Sequence, residues 1–181
     1  MVKDDKGERY FITNPDSSLR KLSKEHIMKH IKDTGNIVSF ASIFVSPKLT
    51  ISDMEEVFKA VKSKPGRILV ADMTTAKNGE TVKDIEILLK YVDYLITNEK
   101  EAYILTGEND PKKSASIILE HGANTVIIKC GKNGTGLSKG LNLKNSCMYG
   151  CAAASVVVEH MGTRCKEAIL SETDKRYDRL L

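Results

Sequence analysis

Apolar residues recur along the chain in two alternating rhythms. Residues 37–41, 67–71, 94–97 and 125–129 are short, nearly continuous apolar runs of strand length. Between them the spacing turns helical: Met54, Val57, Phe58 and Val61 share one stripe, and Val82, Ile85, Leu88, Leu89 and Val92 another. Strands alternating with helices predict an α/β fold, a mainly parallel sheet with helices on both faces in three layers. Local punctuation supports the boundaries. Ser23 reads as the cap of a helix running to about Asp33 and ended by Gly35, and Ser52-x-x-Glu55 reads as a capping box. Lys64-Pro65-Gly66 stops that second helix. Asn98 opens a short helix that Gly107 ends, Asp110-Pro111 starts the next, and Gly122 closes it.

The two ends read differently from the middle. Residues 8–13 form a short strand behind the turn Asp5-Lys6-Gly7, with only residues 1–3 upstream to pair with it. Residues 1–15 therefore read as the remnant of a hairpin or lid-side strand, and the chain as opening inside a unit. Residues 143–161 read as one long helix with the small run Gly150, Ala152, Ala153, Ala154 and Ser155, suited to close packing. Residues 164–181 form a charged, helical tail. The whole, 1–181, reads as a single but incomplete domain.

Composition narrows the function classes. Lys and Arg are scattered over a net charge of +4, aromatics are 6% and Trp is absent, which argues against nucleic acid. No apolar run approaches a membrane span and the first residues are no signal peptide, so a cytoplasmic protein is expected. Four cysteines at 130, 147, 151 and 165 make no CxxC pair. Cys147 and Cys151 share a helix face, but reduced cysteines of a cytosolic protein are the simpler reading. His26 and His30, spaced i,i+4 without a third ligand, read as solvated surface before zinc.

Two places carry candidate chemistry. Asn98 and Glu101 stand where a strand turns into a helix. As N-cap and N3 they satisfy free amide donors reciprocally. Alternatively, a carboxylate there holds hydrated magnesium, which takes one or two carboxylates plus substrate phosphates. Gly131-x-x-Gly134-x-Gly136 is either a turn or a backbone nest for phosphate, and it lacks the spacing of a Walker A loop. Open α/β sheets bind ligands at the carboxyl ends of their strands, where both places lie.

The ordered motifs resemble those of the PfkB carbohydrate kinase family, the ribokinase-like sugar kinases. Val92-Asp93-Tyr94-Leu95-Ile96-Thr97-Asn98-Glu99-Lys100-Glu101-Ala102 is similar to the family's "vD.l.pN..Ea" segment, and Leu105-Thr106-Gly107 follows as it should. The stretch from Gly122 through Val126-Ile127-Ile128-Lys129-Cys130-Gly131 to Gly134 is similar to its "G...vvvklG..G" segment. Gly7-Glu8-Arg9 resembles its "dGeR" hairpin, and Tyr149-Gly150-Cys151-Ala152-Ala153-Ala154 through Gly162 its late helix beside adenine. The resemblance implies a ribokinase-like fold and transfer of the γ-phosphate of ATP to a sugar hydroxyl. ATP and Mg2+ are then the cofactors and a small sugar and a nucleotide the partners; a homodimer is one assembly the resemblance allows, but the oligomeric state is open, since relatives often dimerise through a lid missing here. It also implies roles. Asn98 and Glu101 organise magnesium and phosphates, with Glu101 the metal carboxylate. Lys129, Gly131 and Gly134 line the nucleotide site, and Ala153 and Gly162 lie near adenine. Asp72 and Lys77 contact substrate or phosphate, although Asp72 reads equally well as a solvated or capping carboxylate.

The departures matter as much. The family signature Gly-Ala-Gly-Asp, whose Asp is the catalytic base and whose glycine amides form the anion hole, does not occur in this sequence. Residues 135–142 join the glycine turn directly to the late helix where it would fall. Cys151 stands where relatives carry Asn. No catalytic base is therefore assigned. Three expectations follow: a kinase completed by residues outside these 181, a shortened gene product, or a nucleotide-binding remnant without turnover. The sugar is undetermined; a ketose or sugar acid fits the hairpin, with nucleoside and pyridoxal-type acceptors open.

Overall fold

The computed structural model describes residues 2–3, 5, 9–10, 14, 16–76, 78–130, 135–138, 148, 152 and 169–179. Two-residue strands β1 (Val2–Lys3) and β2 (Arg9–Tyr10) pair antiparallel, Val2 facing Tyr10. The strand expected near residue 8 thus does find its partner in the first three residues. A short helix α1 (Ser18–Lys21), invisible in the apolar pattern, precedes α2 (Lys24–His30), which runs on into a 3-10 turn at Ile31–Asp33. Ser23 is the N-cap of α2 by position, but its hydroxyl bonds His26 Nδ1 at 2.9 Å instead of a backbone amide.

The body is a five-stranded sheet of β3 (Ile37–Ile43), β4 (Ile68–Met73), β5 (Tyr94–Asn98), β6 (Val126–Lys129) and β7 (Thr135–Ser138), in that order. The first four strands run parallel and β7 returns antiparallel to β6, Lys129 opposite Thr135. The connections are α3 (Ile51–Lys62), α4 (Val82–Leu89), and α5 (Glu99–Thr106) followed by α6 (Pro111–Glu120). A last helix, α7 (Ile169–Asp178), lies in the charged tail.

Strand order equals chain order from β3 to β6, so right-handed crossovers deliver every connecting helix to the same side. The core confirms it. Leu69, Ala71, Leu95, Val126 and Ile128 alternate to one face and cluster with Val57, Phe58, Ile85, Leu88, Leu105 and Ile118 from the helices. The intervening residues Val70, Asp72, Tyr94, Ile96, Asn98 and Ile127 are half-buried on the other face. Alternation of strands and helices predicts cover on both faces, whereas the described crossover helices cover one; residues 143–161, apart from 148 and 152, lie outside the described residues, and Ala152 is buried.

One cap differs from expectation. The capping box of α3 is Thr50 with Asp53, not Ser52 with Glu55: Thr50 N donates to Asp53 Oδ2 at 3.0 Å and Asp53 N to Thr50 Oγ1 at 3.1 Å. Ser52 is already inside the helix, and Glu55 pairs instead with Lys90, the C-cap of α4, at 3.1 Å. Asp84 likewise accepts from Thr81 N and Oγ1 at the start of α4. Hydrogen bonds from Thr50 and from Thr81 hold both carboxyls below the usual Asp range. A depressed folded-state value gives stability that is present above the unfolded value, about 3.9, and lost as pH falls through the folded one. Acid titration of stability is expected to steepen below about pH 4, and the Asp53→Asn/Asp84→Asn double variant to flatten that limb. An unchanged limb would mean the caps are broken in solution.

Candidate functional site

The carboxyl ends of β4, β5 and β6 bring three of the singled-out side chains to one edge. In register, Asp72 faces Ile96 and Asn98 faces Lys129, so Asp72, Asn98 and Lys129 share the sheet face opposite the crossover helices. Lys129 Nζ reaches across β5 to Asp72 Oδ1 at 3.6 Å. The pair is 48% and 40% exposed, which makes it worth little on its own and easily displaced by a stronger anion. The other claim on Asp72 Oδ1 is the amide of Met73 at 3.0 Å.

Asn98 ends β5 and caps α5, because its extended backbone lets the side chain turn onto the first turn of the helix. Asn98 Oδ1 accepts from Glu101 N at 2.9 Å, and Glu101 Oε2 accepts from Asn98 N at 3.0 Å. The capping reading is therefore realised. It occupies one carboxylate oxygen. Glu101 Oε1 has no hydrogen-bond partner among the described residues, and the side chain is half-buried. A carboxylate fixed through one oxygen and open at the other, at the start of the helix that follows β5, suits magnesium, which takes few protein oxygens and completes its shell with phosphates and water.

Thr97 is a contributor the apolar pattern hides. It points into the core, is fully buried, and its hydroxyl lies 3.2 Å from Glu101 Oε2 and 3.3 Å from Asn98 O. A threonine on the inward phase of an apolar strand, four residues before a carboxylate, was the available signal. Below it Gly107 ends α5 in the left-handed conformation at φ 76°.

The remaining expected site residues, Lys77, Gly131, Gly134, Ala153 and Gly162, lie outside the described residues, as do Cys147 and Cys151. By sequence the glycine turn joins β6 to β7, next to Lys129. Among the described residues no group of three or more His, Cys, Asp or Glu stands ready to hold a metal. His26 bonds Ser23, and His30 Nδ1 lies 4.0 Å from Asp33. No described helix is long and apolar enough to cross a membrane.

Several solved structures share this architecture. A candidate ribokinase II from E. coli superposes with TM-score 0.70 at 18% identity, over 97% of this chain and 68% of that one. A candidate ribokinase II from E. coli in complex with ATP and Mg2+ gives 0.69 at 18% identity, over 96% and 68%. The pyridoxal kinase from Staphylococcus aureus, in complex with pyridoxal, gives 0.50 at 20% identity, over 82% and 62%. At these identities the likeness is one of fold, and the chain spans about two thirds of each neighbour's length. The family evidence is independent of them: the model of the pfkB family carbohydrate kinases matches residues 1–137, covering most of the chain, from the β1–β2 hairpin into β7. The strand-end capping box, the β6 lysine and the ribokinase-like sheet are thus features of a chain that belongs to the pfkB family of carbohydrate kinases.

Proposed function

We propose that this chain carries the nucleotide and magnesium side of an ATP-dependent carbohydrate kinase, working in the cytoplasm on a small sugar, and that the 181 residues alone bind nucleotide without transferring phosphate. The observation that carries it is the pairing of Lys129 with Asp72 across the carboxyl ends of β4, β5 and β6, with Asn98 between them capping the helix that carries Glu101. Lys129 exchanges its weak contact with Asp72 for a phosphate oxygen. Glu101, its orientation fixed by Asn98 N and the Thr97 hydroxyl, offers the free oxygen toward magnesium. Bound magnesium supplies charge neutralisation of the phosphates. Asp72, released from Lys129, faces the acceptor side, with Lys77 beyond it in sequence. Gly131 and Gly134 are assigned to the phosphate turn, Ala153 and Gly162 to the adenine side.

The absence of turnover rests on sequence. Phosphoryl transfer depends on positioning and on preorganised donors, and loss of a single oxyanion-type donor lowers rate by about 100-fold or more. The family's glycine donors and its Asp base are both absent from this sequence. Incubation with MgATP and a panel of ketoses, sugar acids, nucleosides and pyridoxal is expected to yield no phosphorylated acceptor, while equilibrium dialysis retains ATP. Phosphorylation of an acceptor by this chain would overturn the inactive reading, and no retention of ATP would overturn the nucleotide-binding one.

A further inference from the structure

At the opposite, amino-terminal end of β4 the chain buries a cation with no counter-charge. Arg67 precedes β4 and is 4% exposed. Its guanidinium donates one hydrogen bond, Nη2 to Thr34 O at 3.0 Å, and Nε has no partner. Among the described residues no carboxylate forms an ion pair with it; the nearby Asp93 is taken by Lys62 at 2.7 Å. Withdrawing a guanidinium from water without a partner is unfavourable, and the carboxyl end of α3 offsets it only in part.

Arg67 lines a cleft of about 400 Å³ between α2 with its 3-10 turn and the end of α3. Lys32, Lys64 and Ser63 are exposed on its rim, and Met28, Ile31 and Ala60 supply an apolar wall. No acidic side chain lines it. Three cations and a hydroxyl around one apolar wall complement a small oxyanion carrying an apolar group. From these features we infer that the cleft is a second ligand site, for a small phosphate- or carboxylate-class anion. It lies a full strand length, roughly 17 Å, from the strand-end site. It therefore stands whether or not the kinase reading does.

A guanidinium engages such an anion through paired N–H donors, and the two lysines add charge without fixed geometry. Binding to the folded state alone raises its stability in proportion to occupancy. The test is thermal unfolding of the full chain titrated with inorganic phosphate and, separately, with butyrate, against chloride at matched ionic strength. A saturable rise of about 4 °C at ten times Kd is expected with at least one of them. Butyrate acting better than phosphate would assign the apolar wall to the ligand, and phosphate better than butyrate would assign a phosphate. The rise is expected to vanish in Lys32→Ala/Lys64→Ala, whose exposed changes leave the core intact, and in Arg67→Met. No saturable rise with either anion, or a rise unchanged in the double lysine variant, overturns the site.

Discussion

Phe58→Ala is expected to remove about 3–5 kcal/mol of stability, a large share of the roughly 5–15 kcal/mol typical of a domain. Phe58 is fully buried on α3 and meets Phe40 of β3 edge to face, ring centroids 5.0 Å apart and planes at 77°. That contact joins the first crossover helix to the outermost parallel strand. The surroundings offer little help in closing the gap. A cavity of about 410 Å³ already lies beside it, lined by Phe40, Val57, Val61 and Leu69. The truncated site would open toward it rather than collapse, and cavity-forming substitutions are worst where the structure cannot relax. Urea unfolding measures the loss as a lowered midpoint at unchanged slope. A loss under about 1 kcal/mol would mean that α3 does not pack on β3 as described.

Asp93→Ala should cost about 2–3 kcal/mol through a different mechanism, the loss of hydrogen bonds. Asp93 Oδ2 accepts from Leu69 N and from Lys62 Nζ, each at 2.7 Å, and Asp93 N donates to Leu69 O at 3.0 Å. One residue thus extends the β4–β5 pairing and ties the end of α3 to it, since Lys62 Nζ also donates to Arg67 O at 2.8 Å. The Lys62 and Asp93 side chains are 29% and 25% exposed, so solvent screening limits the purely ionic part. Asp93→Asn retains a carbonyl oxygen for the Leu69 amide. It is expected to lose about 1 kcal/mol, the charged part alone. Equal losses for Ala and Asn would show that the ion pair, and not the backbone amide, is what matters. The residue that the family resemblance matches as the "D" of its strand motif is in this account a fold residue.

Much of this was legible in the sequence because short-range chemistry decides it. The four parallel strands follow from apolar runs bounded by polar turns. The caps at Asn98 and Asp110 follow from residue types that satisfy the first amides of a helix. The cap of α3 was misplaced because Thr50-x-x-Asp53 and Ser52-x-x-Glu55 fit the same rule two residues apart, and only the backbone chooses between them. Strand β7 was missed because Thr135-Gly136-Leu137-Ser138 lacks both a strand-forming composition and an apolar phase; its pairing with β6 comes from the hairpin. The one-sided placement of the crossover helices was implicit in strand order, which no periodicity reveals. At the site, Asp72 and Lys129 lie 57 positions apart in sequence and meet only through the register of β4, β5 and β6.

The measurement that bears most directly on the account is the affinity for MgATP of the unaltered chain and of Glu101→Gln, compared by calorimetry alongside their thermal stabilities. Glutamine at the third helical position still accepts from the Asn98 amide, so the cap survives and stability should stay within about 0.5 kcal/mol. The charge that would attract magnesium is gone, and affinity for MgATP is expected to fall by about tenfold or more, with magnesium-free ATP affected far less. Unchanged MgATP affinity in Glu101→Gln, with the fold intact, would reduce the carboxylate to a helix cap and contradict the assignment of this strand edge as the nucleotide site.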